Sequence, residues 1–116
     1  MFDFEKLTVY QKSKLLNKEV LILLEQNDIH RVTSDQFRRA AFSITLNIAE
    51  GSGRYTSADK RNFYVIARGS VFECVAIIDY LKDTSVLNAE DFQKLYFDLE
   101  ELSKMLYSLI KTLSKQ

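Results

Sequence analysis

Proline and tryptophan are both missing from the 116 residues, and glycine occurs only three times. Sheets and tight hairpins need turn residues, so this scarcity argues against a strand-and-turn architecture and suits long uninterrupted helices. Cysteine occurs once, at Cys74. No intramolecular disulfide can form from it, and nothing calls for an oxidising compartment. Histidine also occurs once, at His30. With Asp28 and Asp35 it would offer a metal one good ligand and weak carboxylates, so a solvent-facing loop residue is the better reading. The longest apolar run, Val20 to Leu24, falls far short of the ~20 residues that cross a bilayer. The opening Met1-Phe2-Asp3-Phe4-Glu5 is acidic and unlike a secretory signal. The expectation is a soluble cytoplasmic protein with no membrane partner, no metal, no cofactor and no evident small-molecule substrate.

Excess charge is also lacking, since 16 lysines and arginines balance 16 aspartates and glutamates. Whole-molecule electrostatics therefore favours neither nucleic acid nor an acidic partner. Along the chain the balance is uneven. Between His30 and Ser70 stand Arg31, Arg38, Arg39, Arg54, Lys60, Arg61 and Arg68 against Asp35, Glu50 and Asp59, a net +4. The flanks compensate with −1 before this block and −3 after it. A charge run is most often a solvated face. The functional alternative is phosphate contact without base reading by Arg38, Arg39, Arg54, Lys60, Arg61 and Arg68, of which Arg61 and Arg68 share one helix stripe.

What is abundant is helical periodicity. A first helix is expected from about Phe4 to Gln26, with Val9, Leu16, Val20 and Leu23 on its stripe and an apolar second half that needs covering on every side. A second begins at Thr33 or Ser34, either a good cap, and carries Phe37, Ala41, Ile44, Ile48 and Gly51 on its seam. Gly51 is expected to end it in a left-handed conformation. Gly51-Ser52-Gly53-Arg54 follows a helix and lacks a lysine, so it is a turn and not a phosphate loop. A third helix opens at Thr56 or Ser57 and runs to about Lys82 with the seam Phe63, Ala67, Ser70, Cys74, Ile77 and Leu81. A fourth follows the cap Asn88 with Phe92, Leu95, Leu99, Leu102, Leu106, Leu109 and Leu113.

These four segments predict an all-α, single-domain, antiparallel up-down-up-down four-helix bundle spanning residues 1–116. Folding the central hairpin sets Ala40 and Ala41 opposite Ala67 and Ser70, close enough for the backbones to approach. It also places Glu73 near Arg38, and Glu50 near Lys60 or Arg61, as candidate ion pairs that set register. Several apolar residues are left over. Val65, Phe72 and Val75 point away from the third seam, and Phe97 and Tyr107 away from the fourth. Helices that already own a core face and carry aromatics outside it suggest subunit contacts, so Val65, Phe72, Phe97 and Tyr107 are the candidate oligomer interface.

The hairpin wording is distinctive. Ser43-Ile44-x-x-Asn47-Ile48-Ala49-Glu50-Gly51, followed by Gly69-Ser70-x-x-Glu73, resembles the four-helix-bundle family of ribosomal-RNA intervening-sequence proteins. Leu7-x-Val9-Tyr10-Gln11-Lys12 is similar to that family's first-helix opening, with Tyr10 where tryptophan is commoner. The likeness covers nearly the whole chain, with Asn47, Glu50, Gly51, Ser70 and Glu73 as the motif residues. It implies a small non-enzymatic bacterial bundle that assembles with itself, in some relatives as rings of five, and that works with RNA or a ribonucleoprotein. Those ring-forming relatives accompany a reverse transcriptase in diversity-generating retroelements and bind nucleic acid through basic surface.

Two functions from different classes follow. One is an oligomeric scaffold that binds RNA or an RNA-handling protein through the six cations named above. The other is a protein–protein adaptor that docks through Phe72, Phe97 and Tyr107 and uses its arginines only for solubility. An enzyme is disfavoured, because one histidine, one seam cysteine and no paired carboxylates leave no nucleophile with its base.

Overall fold

In the computed structural model, which describes residues 1–115, a 3₁₀ turn at Asp3–Lys6 leads into four helices. They are α1 (Thr8–Gln26), α2 (Arg31–Ser52), α3 (Ser57–Asp83) and α4 (Ala89–Leu113). Each packs on the next in sequence, α4 returns to α1, and neither diagonal pair meets among the described residues. The result is the square, antiparallel bundle that the periodicity predicts. It measures 45 × 26 × 22 Å, the long dimension being about that of one 27-residue helix.

The helix starts show where local chemistry overrides periodicity. The first helix begins at Thr8, not near Phe4, because extended backbone at Leu7 (φ −73°, ψ 126°) separates it from the 3₁₀ turn. α2 starts at Arg31, ahead of Thr33 and Ser34. His30 Nδ1 accepts the Val32 amide at 3.2 Å and so caps a helix that a hydroxyl was expected to cap. The lone histidine thus has a place at a helix end. Thr56 and Asn88 cap α3 and α4 as expected, accepting the amides of Asp59 at 3.1 Å and Asp91 at 2.8 Å.

The expectation for Gly51 is corrected. It is buried inside α2, no glycine has a positive φ, and the helix runs on through Ser52. What glycine supplies is room. A Cβ there would stand 2.8 Å from Phe63 Cβ and 3.0 Å from the Tyr64 ring, so the bare backbone lets α2 and α3 close on each other. Among the described residues, the only left-handed backbone is that of Ser85 (φ 61°), in the α3–α4 turn.

The seam of α3 is also corrected. Ala67, Ser70, Cys74 and Leu81 are buried as expected, but Tyr64, Val71 and Ile78 fill the core in place of Phe63 and Ile77, which are half-buried. α3 has two neighbours, so its deepest line points between them. Ser70 turns toward α2 and Arg68 toward α4. In α4 the buried line runs from Phe92 through Leu106, while Leu109 and Leu113 are only partly covered near the start of α1.

Polar pins fix the register of this core. Between α1 and α2, Asn17 Nδ2 donates to the Ala41 carbonyl and to Thr45 Oγ1, both at 2.8 Å. Thr45 Oγ1 donates in turn to the fully buried Ser13 Oγ at 3.0 Å. Between α2 and α3 the hydroxyls of Ser43 and Ser70 meet at 2.8 Å, with Asn47 Nδ2 donating to the Ser43 carbonyl at 2.8 Å. Each bond satisfies a group that burial would otherwise penalise.

Candidate nucleic-acid and subunit interfaces

The motif residues come together along the α2/α3 joint and hold it. Ser43, Asn47 and Ser70 form the hydroxyl–amide pin, and Gly51 provides the close approach. The expected ion pairs take other partners. Glu73 receives a hydrogen bond from Gln36, not from Arg38, because Gln36 faces α3 while Arg38 lines a groove with α1 residues. Glu50 pairs with Arg54 one turn on at 2.8 Å, and Lys60 donates instead to the Ser52 carbonyl at 2.9 Å.

The six cations do not form one patch. Arg54 and Lys60 gather at the end of the bundle where α2 meets α3, while Arg61 turns to the end of α4, on the same stripe as Arg68. Arg54 lies over the Phe63 ring at 4.5 Å, and Arg61 Nε donates to Ser114 Oγ at 2.7 Å. Arg68 lies on the α3/α4 face, with its Nε donating to the Ser103 carbonyl at 3.3 Å. Its guanidinium sits over two rings, Phe72 at 4.8 Å and Tyr107 at 5.5 Å. Arg38 and Arg39 lie on the opposite, α1/α2 face and have no hydrogen bond, ion pair or ring contact among the described residues.

The α3/α4 face carries the surplus apolar surface. Val65 is 44% exposed, Phe72 56% and Tyr107 54%, while Phe97, 64% exposed, lies on the outer side of α4 opposite its buried line. Val75, expected among them, is half-buried against the core. Phe72 and Val75 flank a groove of about 280 Å³ with Tyr96, Glu100 and Ser103, floored by Val71 and Leu99. Gly69, beside it on α3, has open space where a Cβ would be. The α1/α2 face has apolar surface too: Leu21, in the half of the first helix expected to need cover on every side, stays exposed, and Phe42 and Leu46 are exposed where the periodicity marked nothing. Phe42 and Leu21 line a groove of about 530 Å³ with Asn17, Val20, Asp35, Arg38 and Arg39.

Two titrating groups complete the picture. Burial, with a smaller contribution from the Glu73 charge, pushes the Cys74 thiol up to about 12, so it carries no thiolate near neutral pH. At the α4/α1 joint, burial first, then a hydrogen bond to Glu19 and the Glu19 charge, raise Asp98 to about 6. Glu19 Oε2 is buried with no hydrogen-bond partner among the described residues, while its Oε1 meets Lys94 at 3.1 Å. Asp98 and Glu19 can share a hydrogen bond only when one of the two carboxyl groups carries a proton.

A family model described as the 23S rRNA-intervening sequence protein matches residues 5–108. The chain belongs to that family. A crystal structure of a protein of unknown function from the S23 ribosomal protein family of Bacteroides thetaiotaomicron shares the fold of this family member, with a TM-score of 0.84. The two are 27% identical over 90% of this chain and 99% of that one. Among curated proteins, none matches. No helix among the described residues is long and apolar enough to cross a membrane. Nor does any group of three or more His, Cys, Asp or Glu side chains there have the arrangement of a metal site.

Proposed function

We propose that this family member is a non-enzymatic cytoplasmic scaffold that assembles with itself through its α3/α4 face and works with RNA or a ribonucleoprotein. The observation that carries this reading is the exposed apolar surface of Val65, Phe72 and Tyr107 along α3 and α4, with Phe97 on the outer side of α4, on a bundle whose own core is already closed. The family's description, with its ribosomal-RNA context, supports RNA as the partner. A non-catalytic role agrees with the two groups best suited to chemistry. Cys74 is buried with its proton held, and His30 caps a helix.

Sedimentation or light scattering of the wild type beside Phe72→Asp tests the assembly. The wild type should exceed the mass of one chain and the variant should fall to it; a solitary wild type defeats the scaffold. RNA binding is tested by titration against salt, where contact with Z phosphates of a single strand gives a logarithmic slope of about −0.7Z. A second reading, an adaptor that docks a protein without nucleic acid, is favoured by one observation. Arg54 and Arg68 spend their guanidiniums on contacts within the chain. Assembly without any RNA binding at low salt would select it.

A further inference from the structure

We infer that the α1/α2 groove is a seat for single-stranded RNA, with Arg38 and Arg39 holding phosphates and Phe42 receiving an unpaired base. The inference rests on the RNA reading above and names where and how the strand is held.

Three observations converge on this groove. First, Arg38 and Arg39 are the two nominated cations with no partner among the described residues, so their full charge and all their donors face solvent. The carboxylate that lines the groove, Asp35, faces Arg31 at 3.9 Å and makes no ion pair with Arg38 or Arg39. Second, Phe42 stands four residues after Arg38 and three after Arg39, the two spacings that put side chains on neighbouring rows of one helix surface. Its ring is 56% exposed, and no guanidinium or second ring covers it, unlike Phe63 or Phe72. Third, the groove holds about 530 Å³ over an apolar floor that includes Val20 and Leu21, within the size range of small-ligand pockets.

Uncompensated guanidiniums on either side of a bare aromatic ring match a polyanion that also carries flat apolar faces. Single-stranded nucleic acid has that chemistry: phosphates at regular intervals and bases free to stack. A duplex does not fit, since its bases are already stacked and cannot reach the ring. An acidic peptide would satisfy the arginines but leave Phe42 without a matching planar group. Every base has a π-face, so the seat should be tolerant of sequence.

The test is fluorescence anisotropy of a labelled mixed-sequence RNA of about 12 nucleotides, a length typical of single-strand sites, over a range of salt. The proteins are the wild type, Arg38→Ala/Arg39→Ala, Arg38→Lys/Arg39→Lys, Phe42→Ala and Arg54→Ala/Arg61→Ala, each checked for unchanged helicity. Losing both arginines should flatten the logarithmic salt slope by about 1.4, two single-strand phosphates at about 0.7 each, while the lysine pair keeps it. Phe42→Ala should weaken binding about tenfold at unchanged slope, the mark of a lost stack. Arg54→Ala/Arg61→Ala should leave the slope in place.

If the wild type binds and the slope falls with Arg54 and Arg61 instead, the seat is overturned and the RNA reading stands. If the wild type binds no RNA at low salt, both fall. Binding of a polyglutamate peptide in place of RNA, lost in Arg38→Ala/Arg39→Ala, would assign the groove to an acidic protein and overturn the seat.

Discussion

Arg68 on the α3/α4 face and the Arg38–Arg39 pair on the α1/α2 face have the same side chain and opposite employment. Arg68 spends its guanidinium on the Ser103 carbonyl and the rings of Phe72 and Tyr107, so it braces an aromatic surface. Arg38 and Arg39 brace nothing, and the nearby ring of Phe42 is bare. Charge counted along a chain is therefore not charge available to a partner. An arginine laid on aromatic faces becomes part of the apolar surface beneath it, while one with no neighbour keeps its donors for something outside.

The contrast can be broken most severely from below. Leu99 is fully buried and floors the α3/α4 groove, so Leu99→Ala should cost about 2 to 5 kcal/mol in chemical denaturation. It should also disturb assembly while leaving the α1/α2 groove intact. Gly51→Ala acts on α2 and α3 together, the helices that carry one face each. Its Cβ would press on Phe63 Cβ and the Tyr64 ring, and the expected loss is about 1 to 3 kcal/mol with both faces shifted. A wild-type melting temperature would mean that the joint has slack the close contact denies.

The comparison is sharpened by removing the arginines themselves. Arg68→Ala should lower stability by about 1 kcal/mol through its lost ring contacts and carbonyl bond. Arg38→Ala should stay within about 0.5 kcal/mol of wild type, as for an exposed residue that touches nothing. Equal losses in the two variants would erase the distinction.

The smallest effect lies at the α4/α1 joint. Asp98 has a folded-state value of about 6, above its ordinary 3.8, so between these two values the folded protein holds a proton that the unfolded chain has released. Stability should therefore fall as pH rises across that window and level off above it. Discounted for partial solvent screening, the fall is about 1 kcal/mol. Asp98→Asn keeps a donor for Glu19 without the titration, and melting curves of that variant should lose the slope.

Much of this is legible in the sequence. The four helices, their order, the α2 seam and the α4 line from Phe92 to Leu106 follow from spacing alone, because apolar residues there recur on a single stripe. α3 is harder to read. Phe63 and Ile77 make as good a stripe with Ala67 and Cys74 as Tyr64, Val71 and Ile78 do, and only contact with both α2 and α4 decides between them. Gly51 was recognisable as necessary but not for the right reason, since a gap one Cβ wide is a property of two helices. The arginines were found as a group, yet which of them meets a ring depends on residues up to 39 positions away, as with Arg68 and Tyr107. The α1/α2 groove is the part left unread: Arg38 and Arg39 count only as charge in the sequence, and Phe42 gains meaning only once α1 closes a groove beside it.

The two apolar faces lie on opposite sides of the square, and this bears on the proposed assembly. Joining through α3 and α4 would leave every α1/α2 groove open to solvent. A single flexible strand could then be gripped at several points in succession, each grip raising the effective concentration for the next. Weak individual holds would sum to a firm one, and affinity would climb steeply once the strand is long enough to span two copies.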